Sequence, residues 1–207
     1  MRTLSVAAIL AALTTFIAAL ALHAADATTA VLAVAAITVF VTWIARLHTD
    51  DEGSGLALIS PAAAVALTLV GRRGAALILP LVAAQVLGAV LGGFAALALG
   101  DRLGDTLVFT DPSMLVAGVV TGVLAVVGTW VLFAIDGEAH EAYAAVPTVM
   151  TGAVLPLGFI AALNPAVILG IATAGLVPFD IALVAAASAL VGAAIGAYTM
   201  ALVAPVE

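Results

Sequence analysis

Ile59-Ser60-Pro61-Ala62 and Leu163-Asn164-Pro165-Ala166 are near copies of one another, and their reading decides how the rest of the chain folds. In each, a residue with a cap-forming side chain stands directly before a proline. Ser and Asn accept hydrogen bonds from the free N–H groups of a first helical turn, and Pro tolerates that turn because its missing N–H is not needed there. Both stretches therefore predict helix starts. Gly71 follows Ser60 by 71 − 60 = 11 residues, and Gly175 follows Asn164 by 175 − 164 = 11. At ~1.5 Å per residue such a helix is about 16 Å long, half the hydrocarbon thickness of a bilayer. Each is expected to enter a membrane without crossing it.

The surrounding composition agrees. Of 207 residues, 66% are hydrophobic and 8% charged, with a mean hydropathy of +1.36. That is more apolar surface than a soluble core can hide, so an all-α integral membrane protein is expected. Twelve acids oppose five arginines, giving a net charge of −7. The basic residues are few and scattered, which disfavours a nucleic-acid partner. With no cysteine, disulfides and thiolate metal sites are excluded. His23, His48 and His140 fall at the edges of apolar runs and read as interfacial residues, and the acids at 50–52 as a solvated loop. Neither a Ser/His pair nor a carboxylate pair sits within a run, so no enzyme, metal or cofactor is expected.

Six spans are predicted: Leu4–Leu22, Thr28–Ala45, Ala75–Leu99, Met114–Ile135, a shorter fifth ending near Leu157, and Ile181–Val203. Leu22-His23-Ala24 resembles a signal-peptide end, but the run before it exceeds the 7–15 residues of an h-region and suits a spanning helix. The offset of 164 − 60 = 104 that relates Ser60 to Asn164 also carries Gly71 to Gly175, Gly88 to Gly192 and Gly92 to Gly196. Residues 1–104 and 105–207 are thus two repeats, each with three spans and a half-helix. An odd number of spans inserts the halves in opposite senses, and interrupted segments at matching places in an inverted repeat point to a substrate path. Arg2, Arg46, Arg72 and Arg73 fall on one side and Arg102 on the other. The positive-inside rule then places both termini in the cytoplasm, in a cell membrane. Gly88/Gly92 and Gly192/Gly196 have the small-xxx-small spacing of close helix crossings. Gln85 reads as an interhelical hydrogen bond.

Opposed half-helices would bring Ser60 and Asn164 together near the midplane. Their N-termini carry roughly half a positive charge each, together with unpaired N–H donors. Cations are repelled there. The non-helical chain before each start, Leu56–Ile59 and Phe159–Leu163, is tolerated at depth where its carbonyls line a water-filled path. Donors flanked by acceptors suit water and small neutral solutes.

These residues resemble the aquaporins and glycerol facilitators, the major intrinsic proteins, over nearly the whole chain. Ser54-Gly55 followed by Ile59-Ser60-Pro61-Ala62 is similar to the family's Ser-Gly-x-x-x-Asn-Pro-Ala loop with one residue extra. Ala84-Gln85-Val86-Leu87-Gly88-Ala89 is similar to its third-helix signature, and Leu190-Val191-Gly192-Ala193-Ala194-Ile195-Gly196-Ala197 to its sixth. The resemblance implies a right-handed six-helix bundle with two re-entrant loops, a pore in each subunit and a homotetramer. It also implies a pore motif of Ser60, Pro61, Ala62, Asn164, Pro165 and Ala166, and a selectivity filter of Phe40 (or Val39), Gly152, Ala161 and Val167.

The chain departs from the family at named positions. Ser60 stands where the first motif has Asn, and Val167 where an arginine follows the second. The implied filter is therefore apolar and wide, and an arginine introduced at 167 would narrow the solute range. Ala11 and Ala125 replace the glutamates that precede Thr15-Phe16 and Thr129-Trp130 and brace the loops in the family. A passive channel for water or small uncharged solutes is the expected function. The alternatives are a secondary transporter of inverted-repeat design, which needs a coupling group that no mid-membrane acid or histidine supplies, and a non-conducting membrane scaffold.

Overall fold

The computed structural model describes residues 2–23, 27–48, 53–100, 102, 113–136 and 164–203. Among them the chain is helix and turn, without a named strand. Its order is α1 (Arg2–Ala21), α2 (Ala27–Arg46), a 3-10 turn (Gly55–Leu58), α3 (Pro61–Leu69), a second 3-10 turn (Ala75–Leu77), α4 (Ile78–Gly100), α5 (Met114–Asp136), α6 (Pro165–Thr173) and α7 (Phe179–Val203). Arg2–Ala21, Ala75–Gly100, Met114–Ala134 and Phe179–Val203 are long and apolar enough to cross a membrane. They are the helices an all-α integral membrane protein requires. The expected fifth span, with His140, and the acids at 50–52 lie outside the described residues.

α3 and α6 have 9 residues each, and the same device ends both. Gly71 (φ 73°) and Gly175 (φ 76°) adopt the left-handed conformation that costs glycine least. This lets Arg72 N–H donate to Leu67 O (2.9 Å) and Leu176 N–H to Ile171 O (3.3 Å), satisfying carbonyls that the last turn leaves open. The two stops are 175 − 71 = 104 residues apart, the interval that separates the two starts.

The chain around α3 leaves and returns at one point. Gly53 and Arg73 pair in an isolated antiparallel bridge, and Ser54 N–H donates to Arg72 O at 3.1 Å. Gly53 is obligatory there, because its φ is 115° and a Cβ would overlap Arg72 O. Residues 53–73 therefore form an excursion closed at its neck. The Arg72 guanidinium sits 5.5 Å above the Phe133 ring, tying that neck to α5.

α1 packs along α4, and α5 along α7. A Cβ on Gly88 or Gly92 would overlap Ala8 O or Ala12 O of α1, and one on Gly192 would overlap Gly122 O. At Gly196 it would press on Thr129 Cβ at 2.8 Å. The missing side chains thus let backbones touch, gaining dispersion contacts where hydrocarbon supplies no hydrophobic drive between helices. α3 lies against α7, and α6 against α4, so each short helix packs on a long helix of the other half of the chain. Exchanging the halves maps each of these pairings onto another.

Candidate functional site: where two helix starts meet

The N-terminal ends of α3 and α6 are joined by one side chain. Asn164 Nδ2 donates to Ile59 O at 2.9 Å, across 105 residues of sequence. Its Oδ1 meanwhile accepts from the N–H groups of Ala166 (3.2 Å) and Val167 (3.3 Å), the first donors of α6. Ser60 Oγ does the same for α3, accepting from Ala63 N–H at 3.0 Å. Ser60 is 6% exposed and Asn164 3%, so both caps act inside the protein. Two capped helix starts thereby converge on a buried point, and their dipoles make it electropositive. Pro61, Ala62, Pro165 and Ala166 form the buried first turns behind the caps.

The carbonyls leading to this point can be accounted for one by one, as buried backbone must be. Arg73 Nη1 donates to Gly53 O (3.4 Å) and Ser54 O (3.2 Å). Gly55 O belongs to the 3-10 turn, and Leu56 O accepts from Ile59 N–H. Gln85 Nε2 donates to Ala57 O at 2.9 Å, Asn164 takes Ile59 O, and Ser60 O accepts from Ala64 N–H. Asn164 Nδ2 carries a second N–H beyond the one given to Ile59, and the Ser60 hydroxyl carries a proton of its own. These two donors are left at the meeting point.

Gln85 differs from its sequence expectation. It is fully buried on α4 and reaches the turn before α3, instead of bonding another helix. Its partner is a carbonyl of the 3-10 turn Gly55–Leu58.

The implied filter is not assembled among the described residues. Gly152 and Ala161 lie outside them. Val39 and Phe40 are on the exposed face of α2 with Leu32, Trp43 and Leu47, and Phe40 packs against Trp43 at 6.3 Å between ring centres. Val167 is fully buried in an apolar cluster with Ala18, Ala21, Leu22, Ala30, Val34 and Ile171. The face that α2 turns inward carries Thr38 and Thr42, whose hydroxyls donate to Val34 O and Thr38 O at 2.7 Å. Neither threonine was singled out in the sequence. Their i, i+4 spacing beside Val34, Ile37, Val41 and Ala45 was the available signal.

The glutamate positions are closed by packing. Ala11 sits with Ala89 and Ala166, and Ala125 with Ala189, where α1–α4 and α5–α7 approach most closely. Gly192 lies directly against Ala125, whose Cβ would be 2.8 Å from a Cβ added there.

No protein-family model matches this chain, and no curated protein matches it.

Proposed function

We propose that the protein is a passive transmembrane channel of the aquaporin-like class, carrying water or small uncharged solutes. The observation that carries it is the Asn164 to Ile59 hydrogen bond, which holds two capped helix starts together in the interior. A channel of this kind places α3 and α6 as re-entrant half-helices within six spans. The halves are inverted, both termini are cytoplasmic, and four copies form the assembly. At its centre, Asn164 Nδ2 and the Ser60 hydroxyl donate to the passing molecule. Two helix dipoles repel cations at the same point, protons included. The reading covers neutral solutes other than water, since no arginine stands at position 167.

Stopped-flow light scattering on proteoliposomes under water, glycerol and urea gradients tests this. At least one of the three should cross faster than in empty vesicles, without saturating or coupling to an ion gradient. Gradient-coupled, saturable uptake identifies a secondary transporter. Flux equal to that of empty vesicles for all three, and for dissolved gases, identifies a scaffold.

A further inference from the structure

We infer that Trp43, Trp130 and Tyr198 form a one-sided aromatic girdle that seats the protein in the headgroup layer of a single lipid leaflet. One apolar cluster joins the beginnings of α1 and α4 to the ends of α2, α5 and α7, through Ala7, Leu81, Val41, Phe133 and Ala197, so these five termini share one end of the bundle. Trp43 on α2, Trp130 on α5 and Tyr198 on α7 all stand at that end, each within two turns of the end of its helix. Their rings reach the outer surface, 53%, 42% and 58% exposed in that order. The aromatic residues described at the opposite end, Phe16, Phe94 and Phe179, are phenylalanines. An indole or a phenol has an apolar body and a polar tip, and is most stable where hydrocarbon meets water, whereas phenylalanine lacks the tip.

Charge marks the same boundary. Arg46 follows Trp43 by three residues, ~4.5 Å along α2. Arg2 begins α1, and Arg72 and Arg73 lie at the same end through Phe133 and the neck of the α3 excursion. Two of the rings are also held in place from within the protein. The Trp130 indole N–H donates to Gly196 O and Thr199 Oγ1, and Trp43 leans on Phe40. With one end held at the headgroups, a bilayer thicker or thinner than the apolar length is accommodated at the other. The partner is thus a lipid surface, and the inference stands whether or not a solute passes.

The chain has two tryptophans, both at this end, so its own fluorescence reports the depth of the girdle. The unaltered protein, Trp130→Phe and Trp43→Phe are placed in phosphatidylcholine vesicles, of short and of long acyl chains, that carry a nitroxide either on the headgroup or near the chain terminus. Tyr198→Trp in a chain that also carries Trp43→Phe and Trp130→Phe adds the third position. A fluorophore attached to Leu97→Cys, exposed toward the far end of α4, reports the other end. The headgroup nitroxide should quench each tryptophan about twofold or more better than the chain-terminal one, in both lipids. The label at 97 should change its quenching ratio between the two lipids. In vesicles selected for one orientation, ascorbate reduces the nitroxides of the outer leaflet alone and should restore the emission of all three single-tryptophan variants to the same extent. Stronger quenching by the chain-terminal nitroxide, unequal recovery after ascorbate, or a change with chain length as large at the tryptophans as at the label on 97 overturns the inference. Quenching by neither nitroxide means that a second copy or another protein covers the rings, and overturns it as well. If a single-tryptophan variant fails to fold, the unaltered protein still reads the depth of both native indoles.

Discussion

At the residue scale, Asn164 does two jobs that no aliphatic side chain can share. Its Oδ1 caps α6 and its Nδ2 ties that cap to Ile59 O. Asn164→Ala removes an N-cap worth about 1 kcal/mol and leaves a buried carbonyl unpaired at a cost of about 1–3 kcal/mol. It should lower the midpoint of thermal unfolding in detergent, and Asn164→Asp should restore the cap without the bond to Ile59 O. Val167 carries the opposite lesson. The resemblance made it a pore-lining residue open to arginine, but its side chain is enclosed by α1, α2 and α6. Val167→Arg buries a cation without a partner, which costs several kcal/mol, so loss of the folded protein is expected instead of narrower selectivity. Size-exclusion chromatography of the purified variant, with Val167→Leu as the size control, decides the matter. Val167 could not be placed from sequence, because the side chains that enclose it come from three helices far apart along the chain.

Elements were more legible than their faces. The starts and stops of α3 and α6 follow from local chemistry, a capping side chain, a proline and a glycine, and such signals act over a few residues. The faces of α2 were not legible, since in a helix apolar on every side hydropathy does not separate interior from lipid. The inward side carries small and hydroxylated residues, Ala30, Thr38, Thr42 and Ala45, beside Val34, Ile37 and Val41, and the outward side carries Leu32, Phe40, Trp43 and Leu47. The same logic governs α1–α4 and α5–α7. Gly88→Val and Gly192→Val each drive a side chain into the backbone of the neighbouring helix. Each should destabilise the fold by at least the 1–3 kcal/mol typical of overpacking. Gly100→Val, where nothing lies within 4 Å of the added Cβ, is the matched control. Comparing the three by thermal unfolding in detergent checks that backbone contact is the cause. The α5–α7 pair has an additional tie, the Trp130 indole N–H shared between Gly196 O (3.2 Å) and Thr199 Oγ1 (3.0 Å). The Gly88 variant should therefore lose more than the Gly192 variant.

For the molecule as a whole, the decisive question is whether its halves insert in opposite directions. The excursion of residues 53–73 closes on itself at the Gly53–Arg73 bridge, so the chain emerges after α3 on the side where α2 ended. If α4 then crosses the membrane, Arg102 lies on the opposite side from Leu47 and Gly71. On the channel reading α5 would bring the chain back at Asp136, and α6, entering from the far side, would leave Gly175 with Arg102. The two short helices would then reach their shared centre from opposite surfaces, with their dipoles facing one another. Because the chain contains no cysteine, single cysteines can be introduced without background. Gly71 and Gly175 have open space around an added Cβ but sit at positive φ, so the neighbouring exposed positions Leu47, Arg102 and Leu202 serve better, with Leu176 as the reporter beside the second stop. In right-side-out vesicles an impermeant maleimide should label Arg102→Cys and Leu176→Cys and spare Leu47→Cys and Leu202→Cys, with the pattern reversed in inverted vesicles. Labelling of Leu47→Cys and Leu176→Cys from one side would mean that both short helices enter from the same face. Their starts would then lie side by side, and the electropositive centre on which neutral-solute passage depends would not form.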